Sequence, residues 1–261
     1  QVDQFNRVYG LDQPYLTQLL KAFRNLITLD LGNSYQGNEN IILALSNKFP
    51  ITLQVTFWSM FVSLGIALPA GIISAIKQYS SFDYIAMFIA LLGLSIPNFW
   101  LGLMLILYFA INLKVLPATF QVGNWLTLIM PAIVLSLNNM AVFVRYIRSN
   151  TITQMEEEYV QTALSKGIGK RGIMYGHVLK NCMLPVITTV GSRFGTLVTG
   201  SFIVESVFAW PGLGTLGMSS INNRDYPMVM GITMFSCTIL LIGNFLADLL
   251  YGIADPRIKI G

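Results

Sequence analysis

The sequence predicts an all-α, polytopic helical membrane protein, and three observations predict it. Of 261 residues, 54% are hydrophobic and only 11% charged, against ~45–50% and ~25% in ordinary soluble domains. The apolar residues gather into five long stretches, Ile51–Ile76, Tyr84–Leu113, Leu126–Val144, Cys182–Phe208 and Tyr226–Tyr251. Each is close to or above the ~20 residues that carry a helix across a bilayer. The first three contain no charged residue, and a water-soluble core has no use for long helices that are apolar on every face.

Residues 1–50 form a polar segment ahead of the 51–261 transmembrane domain. Asp12-Gln13-Pro14 suits a helix start, and Tyr15, Leu16, Leu19, Leu20, Phe23, Leu26 and Ile27 follow at helical spacing, which predicts an amphipathic helix. Gly32, Asn33, Ser34 and Gly37 interrupt that pattern, and a second short helix is expected to lead into the first span. Mid-span Pro97 frees a carbonyl and bends the second span. Gly191 and Gly195 make a small-xxx-small pair in the fourth, suited to close helix packing. Cys182 and Cys237 both fall in spans, so they read as small apolar residues rather than a disulfide or zinc framework.

Lys and Arg set the threading, because short cytoplasmic loops retain positive charge. Lys77, then Arg145, Arg148, Lys166, Lys170, Arg171 and Lys180, then Arg257 and Lys259 occupy one side, while the short loops opposite hold only Lys114 and Arg224. Loop 145–181 and the C-terminus are therefore expected in the cytoplasm and 1–50 outside it. A polar N-terminal segment does not usually cross a membrane unaided, so the threading predicts a further span upstream of Gln1, for six in all.

Loop 145–181 has a helical grammar of its own. Glu156, Glu157 and Glu158 precede Tyr159 through Lys166, and Gly167 ends the run, where a left-handed residue commonly stops a helix. Acid early and base late suits the helix dipole. Ile173, Met174, His177, Val178 and Leu179 then predict a second helix running into Leu184-Pro185 and the next span. The product is a helix–glycine–helix knob. The glycine lets the chain reverse tightly, and small Ala163 would allow a partner to approach closely.

The run Glu158 to Gly167, continuing through His177-Val178-Leu179-Lys180-Asn181 to Leu184-Pro185, resembles the cytoplasmic "EAA" coupling loop of ABC importer permeases, and specifically the oligopeptide, dipeptide and nickel permease family. Gly93-Leu94-Ser95-Ile96-Pro97-Asn98-Phe99-Trp100, Val207 to Gly214, Arg224-Asp225-Tyr226-Pro227 and Asp255-Pro256-Arg257 are similar to that family in order and spacing, as are Leu11 to Pro14 and Asp30 to Tyr35. The loop departs from the Glu-Ala-Ala pattern at Gln161 and Thr162. The resemblance implies a type I ABC importer permease fold, normally with an additional N-terminal span. It also implies half of a translocation path shared with a second homologous permease, two ABC ATPases beneath and an extracytoplasmic substrate-binding protein above. Glu158, Tyr159, Ala163, Lys166, Gly167, Lys170 and His177 would make the ATPase-coupling surface. ATP and magnesium would belong to the ATPases, this chain carrying no cofactor and no catalytic site. Relatives carry peptides of different lengths, glutathione-like peptides and nickel chelates.

Two glycine patterns are decoys. Gly212-Leu213-Gly214-Thr215-Leu216-Gly217 spells G-x-G-x-x-G, but it lacks the strand and βαβ context of dinucleotide binding. Gly167-Ile168-Gly169-Lys170-Arg171 lacks the first glycine and the Ser/Thr of a phosphate loop. The lone His177 has no Cys or second His near it and reads as an interface contact.

Ionisable residues inside a span mark a water-filled path or a buried pair. Arg193 therefore either lines the cavity and meets an anionic part of the substrate, or forms a salt bridge within the bundle. Ser95, Asn98, Asn138 and Asn139 fall mid-span, and face the pore or hydrogen-bond between helices. A metal-chelate permease remains the alternative substrate class. An ATP-independent secondary transporter would need mid-span ion-coupling carboxylates and an internal repeat, and neither is evident.

Overall fold

The computed structural model describes residues 12–28 and 30–254, which are helical apart from turns and one antiparallel bridge between Asn33 and Asn40. Leu11 and Asp255-Pro256-Arg257 of the family-like stretches lie outside the described residues. The predicted amphipathic helix is present as α1, Tyr15–Ile27. Its apolar residues Tyr15, Leu16, Leu19, Leu20, Phe23 and Ile27 all remain exposed.

Helix α2, Ile41–Ile76, is one 36-residue rod, ~54 Å long at ~1.5 Å per residue. The expected second short helix is thus the first part of α2 and not a separate element. Asn40 caps it by accepting from the Leu43 N–H at 3.1 Å. Pro50 stays inside the helix because the carbonyl it leaves unpaired, that of Ser46, lies on an exposed stretch that water or headgroups can satisfy.

The second predicted span is broken. Helix α3, Ser81–Ser95, meets α4, Asn98–Leu105, at a 100° bend around Ile96-Pro97, and α4 continues as a π-helical turn, Ile106–Asn112. Pro97 has no N–H to give and holds Ile96 extended at ψ 122°. Helix α5, Ile129–Glu156, follows a short 3₁₀ turn at Trp125–Leu128. Then come α6, Glu158–Ser165, the short α7, Lys170–Ile173, with a π-helical turn, Met174–Val178, and α8, Leu179–Gly200. The fourth predicted span does not run on to Phe208: α8 ends at Gly200, and a separate α9 occupies Phe202–Val207. Helices α10, Leu213–Asn222, and α11, Tyr226–Ala254, complete the chain.

Helix α2, the rod from Trp125 to Glu156 and α11 are long and apolar enough to cross a membrane, and the bent α3–α4 pair makes a fourth such unit. Helix α8 packs chiefly against α11 and α5, with Cys182, Val186 and Val198 buried. A Cβ on Gly191 would come within 2.5 Å of Ala247 Cβ, and Gly243 of α11 lies against Gly195, so the small pair on α8 serves packing, as its spacing predicts. The main core lies between α2, α5, α8 and the α9 region, with Val55, Met60, Val134, Phe143, Ile147, Val186, Phe208 and Trp210 in it. Helices α2 and α5 approach closely at Gly71, where an added Cβ would sit 2.9 Å from Ile147. Ser63 crosses the same seam, its hydroxyl donating to the Ser136 carbonyl at 3.0 Å. Cys182 is buried beside Thr151 at 3.1 Å, and Cys237 is exposed.

Candidate functional site

The knob between α5 and α8 is built from its own sequence. Helix α6 starts at an extended Glu157 and ends on Gly167, whose φ is +79°. The Gly167 N–H donates to the Leu164 carbonyl at 2.9 Å and the Ile168 N–H to the Ala163 carbonyl at 3.1 Å. That is the paired bonding of a Schellman stop, which satisfies the helix's last carbonyls. A Cβ at Gly167 would meet nothing within 4 Å, so glycine is required there by backbone conformation and not by space.

Val160, Ala163, Ile173 and Val178 are buried against one another, with Met155, Tyr159 and Met174 packed around them. Ala163 is 8% exposed: its small side chain helps close the knob's own core and does not face outward as its size suggests. The exposed surface is made instead by Glu158, Lys166, Gly167, Arg171 and His177, joined by the apolar side chains of Leu164, Ile168 and Tyr175. Tyr159 is half-buried and its hydroxyl donates to Gln154 at 3.0 Å. Lys170 opens α7.

The knob's base is fixed to the neighbouring loop. Arg148 of α5 grips Asp83 of α3 with two parallel bonds, Nε to Oδ1 at 2.6 Å and Nη2 to Oδ2 at 2.7 Å, the fork geometry that only arginine offers a carboxylate. Asp83 Oδ2 also accepts the Tyr79 N–H at 3.0 Å, and the Ser80 hydroxyl accepts the Asp83 N–H at 3.3 Å. The signal for this was present in Ser80-Ser81-Phe82-Asp83, a capping-box spacing.

At the opposite end of the bundle a polar knot replaces the decoy fingerprint. Glu205, fully buried, accepts the Gly214 N–H at 2.6 Å and the Ser201 hydroxyl at 3.0 Å. Thr52 Oγ1 accepts the Leu213 N–H at 2.8 Å, and Trp210 Nε1 donates to the Ile51 carbonyl at 3.0 Å. Helix α10 is therefore capped by side chains distant in sequence, with a carboxyl at its positive end. Gly212 and Gly214 belong to this knot: a Cβ on Gly212 would lie 2.5 Å from Glu205 Oε2, and one on Gly214 2.8 Å from the same atom. Nearby, Asp225 accepts from the Ser34 hydroxyl, from the Tyr35 N–H at 3.1 Å and from the Met228 N–H at 3.4 Å. Two family-like stretches about 190 residues apart are thus tied at the head of α11.

The residues predicted for the path lie on four helices, α3, α4, α5 and α8. Ser95 is exposed at the α3–α4 break and turns its hydroxyl back to the Leu91 carbonyl at 3.0 Å. Asn98, half-buried, opens α4. Asn138 is half-buried, while Asn139 is buried and donates to the Leu135 carbonyl of its own helix at 3.2 Å. Arg193 is half-buried on α8, and among the described residues its side chain forms no ion pair. Thr52, Asp83 and Asp225 escaped sequence reasoning because Leu213, Arg148 and Ser34 lie far along the chain, and Glu205 because its bonds to Ser201 and Gly214 follow no helical or strand period.

Residues 67–260 match the family of binding-protein-dependent transport system inner membrane components. The chain belongs to that family. It is 38% identical to the oligopeptide transport system permease protein AppB of Bacillus subtilis (strain 168), over 98% of this chain and 84% of that one. To the dipeptide transport system permease protein DppB of Escherichia coli (strain K12) it is 33% identical, over 96% and 83%. Among solved structures, a chain of the MetNI methionine ABC transporter superposes with a TM-score of 0.69 at 15% identity, over 82% of this chain and 97% of that one. One from an amino acid ABC transporter gives 0.61 at 17%, over 82% and 94%. The fold is accordingly that of a type I ABC importer permease, and this family member is a multi-pass membrane protein.

Proposed function

We propose that the chain is the permease subunit of a peptide-importing ABC transporter. It forms half of the path together with a second homologous permease. Loop 145–181 and the C-terminus face the cytoplasm, where two ATPases bind ATP and magnesium, and residues 1–50 and 209–225 face a substrate-binding protein outside.

The observation that carries this reading is the 158–178 knob. It has a closed core of its own, a rigid stop at Gly167, exposed Leu164, Ile168 and Tyr175 at its surface, a one-residue link at Glu157 to α5, and an unbroken helical connection to α8. A partner that gripped it would turn two bundle helices together. ATP bound elsewhere can bias the permease only through contacts that differ between its conformations, and this element is shaped to make them. The oligopeptide and dipeptide names of the relatives favour a peptide cargo. Half-buried Arg193, with its charge unpaired among the described residues, offers a counter-charge to a peptide carboxylate and disfavours a bare metal cation.

Peptide uptake into reconstituted vesicles tests the reading. Uptake should require both ATPases and ATP; uptake without them, driven by an ion gradient, would overturn it in favour of a secondary transporter.

A further inference from the structure

We propose that the cleft between α3 and α5, at the end of the bundle that carries the knob, binds the headgroup and upper acyl chain of an anionic phospholipid. The cleft encloses about 550 Å³. It is lined by Arg145, Arg148, Ser149 and Tyr146 and by the apolar Met87, Leu91 and Val142.

Helix geometry sets these two zones in line. Positions 83, 87 and 91 share one face of α3, and 142, 145, 146 and 149 share one face of α5. Going inward from Asp83, Met87 and Leu91 lie ~6 and ~12 Å deeper at ~1.5 Å per residue. The helices touch at Gly93, where an added Cβ would come within 3.2 Å of Leu137. At the other end the two helices are bridged by the Arg148 guanidinium on Asp83. The space between is charged toward the Asp83 end and apolar toward the Gly93 end, and α3 also carries the exposed Ile85, Phe88 and Leu92.

The charge balance favours an anion. Asp83 occupies the Nε edge of Arg148, which leaves three of that guanidinium's five N–H groups to give. Arg145 is exposed and, among the described residues, makes no ion pair. A phosphodiester at the mouth can accept from Arg145, from the outer N–H groups of Arg148 and from the Ser149 and Tyr146 hydroxyls. Free phosphate would take the same donors but has no use for Met87, Leu91 and Val142, whereas an acyl chain covers them. Basic pockets between spans at an interface suit anionic headgroups in this way.

Native mass spectrometry of the full chain in its transporter complex, titrated with phosphatidylglycerol or zwitterionic phosphatidylethanolamine, tests the site. Phosphatidylglycerol should be retained over phosphatidylethanolamine. Arg145→Gln should lower that preference roughly fivefold, the equivalent of ~1 kcal/mol for one basic residue at a lipid surface, and Arg145→Lys should keep most of it. Lys77→Gln makes the same charge change at an exposed position near the same end of the bundle but outside the cleft, and should leave the preference intact. Equal retention of the two lipids, an unaltered Arg145→Gln preference, or an equal loss in Lys77→Gln would each overturn the proposal. Displacement of phosphatidylglycerol by millimolar inorganic phosphate would overturn the lipid in favour of a free anion.

Discussion

Gly167 offers the sharpest test of the knob, because its requirement is conformational and can be graded. Its φ is +79°, and the space where a Cβ would sit is empty to 4 Å, so a substitution meets no clash and is opposed only by the left-handed backbone. That opposition is ~1–2 kcal/mol for an ordinary L-residue, greater for a β-branched one and smaller for asparagine, which visits this region readily. A penalty of ~1–2 kcal/mol is a factor of roughly 5–30 in the population of the closed stop. In vesicles holding the permeases and ATPases, Gly167→Asn should import at close to the unmodified rate, Gly167→Ala several-fold more slowly and Gly167→Val slowest. ATP hydrolysis should become progressively independent of uptake along that series. Melting of the membrane bundle should change little, because Val160, Ala163, Ile173 and Val178 form a cluster separate from the main core. Full uptake by Gly167→Val would refute the reasoning, as would equal damage by Asn and Val, which would mean a steric role that the open space does not allow.

Asp83→Asn removes a buried carboxylate, 3% exposed in its side chain, from a fork with Arg148 at 23%. The partly exposed arginine puts the loss near the low end for a broken buried pair, about 3 kcal/mol, read as a lower melting temperature that Arg148→Gln partly restores in the double variant; coincident melts of Asp83→Asn and the unmodified protein would count against it. Glu205→Ala orphans the Gly214 N–H, a loss of about 1–3 kcal/mol, while the Ser201 hydroxyl keeps the Val198 carbonyl at 3.2 Å. Hydrogen exchange at residues 212–216 should accelerate, and unchanged protection would show that the knot does not hold α10. Arg193→Gln should shift the apparent KM for peptide uptake with normal membrane levels, whereas reduced levels at unchanged KM would assign Arg193 to folding.

Hydropathy made the bundle legible, because a bilayer imposes long apolar runs, and the left-handed stop at Gly167 could be read from one residue and its neighbours. Local signals placed the Pro97 break too, but not its 100° angle, which depends on how α4 packs against the α9 region. The polar ties were hidden for a different reason. Asp83 with Arg148, Thr52 with Leu213 and Ser34 with Asp225 join residues 65 to 191 positions apart, and no periodicity records such pairs. Ala163 shows the converse error: a small residue in a surface loop suggested an outward face, and its place was decided by the loop's private core.

The tie between Ser34, Tyr35 and Asp225 has a mechanical corollary. Asp225 precedes the first residue of α11, and that helix is clasped along its flank to α8 at Gly191, Gly195 and Gly243. A push on the turn at residues 33–40 cannot be absorbed locally. It is passed, like a tug on a tiller, to the head of that helix, whose flank is held against α8.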